Sequence, residues 1–256
     1  MLFSLLLLSV VEGISEFLPV SSTGHMILLS HWLNMNEPFI QSFIIVIQFG
    51  AILAVLGVEP SYFKQSLQHP FGKQNRALVI AMLPVLGVGF LLKDAIKAIF
   101  TPQVVFMGLI VGGIMLILAD ALIPKASSNT NAPKVSYWQA VMVGCWQCLS
   151  LWPGMSRSAM TIIGGMVSGL NRVSAASFSF VLAFPIMAII CGYELSSSWV
   201  SATATEWCLI LGGIATSFFV ARLTMRWFLG VVHRWGLTAF GVYRIALGGI
   251  GWVFFT

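Results

Sequence analysis

Glu12 and Glu16 end an eleven-residue run of nearly pure hydrocarbon and are followed at once by Pro19 and by Ser21-Ser22-Thr23-Gly24-His25. If the segment before Pro19 is helical, the two carboxylates sit four apart on one face. Like charges that close in an apolar setting need a proton, a base or a cation between them. Pro19 removes a backbone donor and biases Leu18 away from helix, so the run turns instead of crossing. The hydroxyl-rich segment that follows opens a new helix, whose free N–H groups suit phosphate. Ionisable groups clustered at membrane depth mark a functional site.

A second stretch answers the first. Pro153-Gly154-Met155-Ser156-Arg157-Ser158, with Thr161 beyond, again sets a proline turn, hydroxyls and one charge in apolar sequence. Pro19 and Pro153 are 134 apart (153 − 19), which lays Ser22 over Ser156 and Thr23 over Arg157. Arg157 carries a planar fork matched to phosphate oxygens. Ser21, Thr23, Ser156, Ser158 and Thr161 add hydroxyl donors for a phosphate. His25 has an unperturbed pKa near neutrality. Ser22 and His25 are three apart and share a face if a helix begins near Ser21, as nucleophile and base would; attack by water, with His25 or Glu16 as base, fits the same residues. Glu12 and Glu16 could instead bind a hard divalent cation, Mg²⁺ or Ca²⁺, through their oxygens. The chain has no P-loop, so any phosphoryl chemistry here proceeds without one.

Positioning these groups falls to a polytopic helical membrane protein. The sequence is 58% apolar and 8% charged, against about 25% charged in soluble domains. Spans are expected at about Phe39–Gly57, Ala77–Leu92, Pro102–Leu122, Ala175–Tyr193, Trp207–Ala221 and Ala239–Phe255. Two interrupted elements, Leu2 to about Asn34 and Trp138–Ser168, have arms too short to span and read as re-entrant pairs. A polar linker at 124–135 separates a first half, 1–123, from a second, 136–256, within one membrane domain. Each half then holds one re-entrant pair and three crossings. Three is odd, so the halves are expected to be inverted repeats.

Loop charges orient the chain. Lys64, Lys73, Arg76, Lys125, Lys134, Arg222, Arg226 and Arg234 fall on one side, Lys93 and Lys97 on the other. That bias puts the eight inside and the mouth of the first re-entrant pair outside the cytoplasm. The net charge of +5 is thereby a topology signal, and no nucleic-acid partner is expected. No cleavable leader is expected either. Cys145-x-x-Cys148 lacks the further ligands zinc needs and reads, like Cys191 and Cys208, as packing. Arg172 reads as an interfacial anchor, and Arg244 lies inside the last span without an evident partner.

The glutamate stretch ending in SSTGH and the PGMSRSAMT stretch resemble the undecaprenyl-pyrophosphate phosphatase family, the bacitracin-resistance type of membrane lipid phosphatase, over nearly the whole chain. Ala159 replaces a glycine common in relatives. The resemblance implies hydrolysis of a polyprenyl diphosphate to the monophosphate and inorganic phosphate, recycling the lipid carrier for cell-wall synthesis at the bacterial cytoplasmic membrane. It leaves a homodimer open. Architecture alone favours another class, a secondary transporter or flippase for a phosphorylated lipid carrier.

Overall fold

The computed structural model describes residues 2–35, 38–124, 135–198 and 203–255; the linker at 124–135, its ends apart, and Trp199 lie outside them. Described residues form twelve α-helices and no strand. In chain order they are α1 (Leu2–Ser15), α2 (Ser22–Trp32), α3 (Pro38–Val58), α4 (Pro60–Gln68), α5 (Lys73–Leu91), α6 (Lys93–Ala98), α7 (Pro102–Leu122), α8 (Tyr137–Cys148), α9 (Arg157–Val167), α10 (Arg172–Ser198), α11 (Ala204–Trp235) and α12 (Thr238–Phe255). Six are long and apolar enough to cross a membrane: α3, α5, α7, α10, α11 and α12. Large apolar side chains such as Phe90, Leu91, Leu122, Phe219, Leu223 and Val253 stay exposed on them, as hydrocarbon solvent permits.

Three elements differ from the expectation. Arg222, Arg226 and Arg234 do not lie in a loop; α11 runs unbroken for 32 residues through all three. Arginine interrupts a hydropathy window but is a good helix former, so charge ends the apolar run without ending the helix. The polar loop after α3 contains α4, started by Pro60 at its first turn and fastened by the buried Tyr62. A further short helix, α6, follows α5.

Packing is by long partners, antiparallel for α7 with α12 and parallel for α3 with α11. α7 lies along α12 and α3 along α11; α1 packs on α11, and α8 packs on α5. The broken pairs α1–α2 and α8–α9 therefore dock alike, each long-armed helix against a full-length helix of the other half. α7 touches both α2 and α9. One apolar cluster joins Phe17, Leu18 and Val20 of the first turn to Met155, Ala159 and Met160 of the second. Phe17 also meets Phe180 of α10 edge to face at 5.3 Å. The two proline turns thus meet inside the bundle.

At one end of the bundle Asp120 of α7 pairs with Arg172 of α10 at 2.6 Å and accepts from the backbone and hydroxyl of Thr238 at the start of α12. Arg172, read as an anchor, is ion-paired at this end of the bundle. Arg226 donates to the Gly57 carbonyl at 3.3 Å. At the other end His31 packs against Phe255 with the rings tilted 50°, and Gln103 donates to the Phe255 carbonyl. Cys145 and Cys208 are exposed, not packed; Cys191 is buried.

Candidate active site

α1 ends at Ser15, but the Glu16 N–H still donates to the Glu12 carbonyl at 3.0 Å, keeping the two carboxylates on one face. The chain turns through 16–20 and re-enters helix at Ser22. Ser21, the N-cap, has φ 68°. In the second turn Ser156 caps α9 with φ 69°, its hydroxyl accepting from the Ala159 N–H. A non-glycine residue in that region costs on the order of 1–3 kcal/mol and persists where its surroundings enforce it. The matched strain resets the register between the stretches. The caps are 135 apart (156 − 21), one more than the prolines, because the second turn has an extra residue between proline and cap. Ser22 therefore lies over Arg157, not over Ser156.

Those two first-turn residues converge on Glu16. Ser22 Oγ donates to Glu16 Oε2 at 2.6 Å, and Arg157 Nη2 donates to Oε1 at 2.9 Å. Arg157 also donates through Nη1 to the Ser179 carbonyl at 3.2 Å and lies over the Phe17 ring at 5.6 Å; its Nε–H is buried without a partner. Glu12 is fully buried, and its oxygens meet no donor side chain; its neighbour is the second carboxyl, Glu16. An ionised carboxylate left so would be costly, so Glu12, like the Arg157 Nε–H, has unmet demand.

The structure gathers Glu12, Glu16, Ser22 and Arg157 and turns His25 elsewhere. His25 Nδ1 meets the Ser21 carbonyl at 2.8 Å, and Nε2 meets the Tyr243 hydroxyl at 2.7 Å. The expected Ser22–His25 pair is thus replaced by Ser22–Glu16: sharing a helix face put them close, but each found a better partner off the helix. Ser158 donates to the Phe17 carbonyl at 2.7 Å, and Thr161 is bonded to Ser179 Oγ and the Arg157 and Ser158 carbonyls. Both hydroxyls are committed to fastening the turns. Thr23 faces a separate cavity with Ser30 and Gln48.

Arg244 is the residue for which the sequence offers no partner, and its partners are backbone. It is wholly buried and donates to the carbonyls of Pro19, Gly108, Leu109, Gly154 and Met155 at 3.0–3.3 Å. One guanidinium thereby ties both turns to α7. A Cβ at Gly112 would strike it, and Gly154, at φ 91°, leaves room for the Val105 carbonyl. A lone arginine in an apolar span is itself a signal, but carbonyl acceptors leave no mark in sequence. Tyr243 and Ser179 escaped notice for a related reason: each acts from a helix outside the two motif stretches.

A multi-pass helical membrane protein with a buried glutamate, serine and arginine cluster between two proline turns is the class these features define. Residues 5–250 of 256 match the model of the family described as bacitracin resistance protein BacA. The chain belongs to that family, one of undecaprenyl-pyrophosphate phosphatases.

Proposed function

We propose that this protein hydrolyses a polyprenyl diphosphate, undecaprenyl diphosphate in the cell, to the monophosphate and inorganic phosphate, and so recycles the lipid carrier of cell-wall synthesis. The observation that carries the reading is Glu16 held between Ser22 and Arg157, each at the first position of a helix from a different turn. Two helix N-termini and a guanidinium favour phosphate there. In the route we favour, Ser22 Oγ attacks the terminal phosphorus while its proton passes to Glu16 Oε2. The bridging P–O bond breaks and the prenyl monophosphate leaves with the electron pair. Water then cleaves the phosphoserine, releasing phosphate and returning the proton to Ser22. The Ser22–Glu16 hydrogen bond supports Glu16 over His25 as the group that accepts this proton. Direct attack by water, activated by Glu16, uses the same groups.

Glu12, with Glu16 beside it, fits a divalent cation such as Mg²⁺ or Ca²⁺: two orphaned oxygens, a negative site, and substrate phosphates to complete the shell. Such an ion would supply positive charge against the diphosphate oxygens. Among the described residues no group of three acidic, histidine or cysteine ligands exists, so the protein would contribute at most the two carboxylates.

The architecture proposed is an inverted repeat with two re-entrant pairs. It is supported by the like docking of α1 on α11 and α8 on α5, and by the matched strain at Ser21 and Ser156. The 135-residue register also lays Glu12 over Gln147 (147 − 12), and both are buried with every side-chain polar atom unpartnered. The lysine and arginine bias supports a site mouth outside the cytoplasm.

The test uses the full chain purified in detergent, where transport is excluded and phosphate release from a prenyl diphosphate is read directly. Release is expected, and Ser22→Ala is expected to remove nearly all of it. Substantial turnover by Ser22→Ala would discard the phosphoserine and leave water as attacker. No release by the unaltered protein would return the lipid-flippase reading.

A further inference from the structure

We propose that Tyr243 is a positioning residue of this site, acting through His25; the proposal rests on the phosphatase reading above. A backbone carbonyl can only accept, so the 2.8 Å contact between His25 Nδ1 and the Ser21 carbonyl puts a hydrogen on Nδ1. Nε2 of the neutral ring is then the proton-accepting nitrogen, and it faces the Tyr243 hydroxyl at 2.7 Å. The two rings also lie nearly parallel, 15° apart with centroids at 5.6 Å. Orientation of the imidazole is thus fixed at both ends, by the strained Ser21 and by α12. A phenol oxygen can donate to neutral Nε2 and accept from a protonated one, so the contact survives a change of proton.

The position of the pair agrees with such a role. His25 and Tyr243 stand on the wall of a groove of about 600 Å³ lined otherwise, Ser15 apart, by apolar and aromatic residues, Val11, Leu18, Trp227 and Phe240 among them. Tyr243 is half-exposed toward it. The next residue, Arg244, holds the carbonyls of both turns. One short piece of α12 therefore sets the turns with one side chain and the imidazole with its neighbour. The charged group facing His25 is Arg244 on α12; α2 adds none besides His31 at its far end.

The experiment is a double-mutant cycle on the full protein in detergent, with farnesyl diphosphate as probe. Tyr243→Phe keeps the ring and loses the hydroxyl, and is expected to lower kcat about tenfold with KM within about twofold, the effect of one hydrogen bond felt in the transition state. In the His25→Ala background the same change is expected to cost less than about twofold, since a residue acting through His25 has nothing left to position. Equal losses in both backgrounds, or none in the first, would overturn the proposal. Histidine ¹⁵N NMR reads the contact without turnover. The His25 Nε2 resonance is expected to move in Tyr243→Phe while Nδ1 stays protonated, and an unmoved resonance rejects the contact. Full turnover by His25→Ala alone would overturn the proposal, since nothing would then depend on the imidazole, and would leave the Ser22–Glu16 reading above untouched.

Discussion

Arg157 spans two acceptors on different elements, Glu16 with one arm and the Ser179 carbonyl with the other. Under the proposed function, a phosphate arriving between the turns would meet a guanidinium already aimed by that span, with the Nε–H still open. Lysine keeps the charge and loses the fork. Charge-assisted bonds are worth about 1.5–3 kcal/mol each, so Arg157→Lys is expected to fold and extract normally and to lose at least about tenfold in kcat/KM. Steady-state kinetics decide it: turnover close to that of the parent would reduce Arg157 to a counter-charge for Glu16. Every group around Glu16 was readable as a residue type in the two motif stretches, because carboxylates, hydroxyls and one arginine stand out in hydrocarbon. Their pairing was not. Whether Ser22 faces Glu16 or His25 depends on the path of five turn residues, and local spacing contains nothing about that path.

Helix ends proved legible where proline or a capping residue marks them, and illegible where only charge does. Pro19 and Pro153 announce both breaks. The one-residue slip between proline and cap is invisible until the strained serines are seen, since PVSS and PGMS align naturally on their prolines. α4 was missed because nine residues bury too little for a clear period; its place is set by Tyr62 and by Glu59 at its N-cap, whose carboxylate accepts from Ser177 of α10. Burial pushes the Glu59 carboxyl above its ordinary value, and the Ser177 hydrogen bond only partly opposes this. The sign follows from linkage. A carboxyl raised on folding contributes its stability below the ordinary carboxylate range and loses it as pH climbs through the folded value. Glu59→Gln is therefore expected to melt with the parent at roughly pH 4 and above it at roughly pH 8. Melting curves in detergent across that range test this, and a parent more stable at the higher pH would contradict it.

Orientation in the bilayer is a property of the summed loop charges, and the two ends of the bundle now have concrete markers. Thr205, exposed in the first turn of α11, lies at the end opposite Gln68, exposed in α4 beside the basic loop. With the four native cysteines replaced, a cysteine at 205 is expected to react from outside with a membrane-impermeant thiol reagent, and one at 68 only after permeabilisation. The converse pattern would turn the site toward the cytoplasm. The crossings themselves were plain from composition, because a hydrocarbon solvent demands long apolar helices; the contact that closes the molecule was not. Arg244 follows Pro19 by 225 residues and Gly154 by 90. A growing chain leaves the ribosome from its N-terminus, so the first turn waits through most of translation, and the second through 90 residues of it, with their carbonyls unmet. A nascent chain arrested at residue 240 would carry every side chain that touches Glu16 and still be unlatched. Its turns are expected to be open to protease, and to become resistant only once synthesis has passed the arginine.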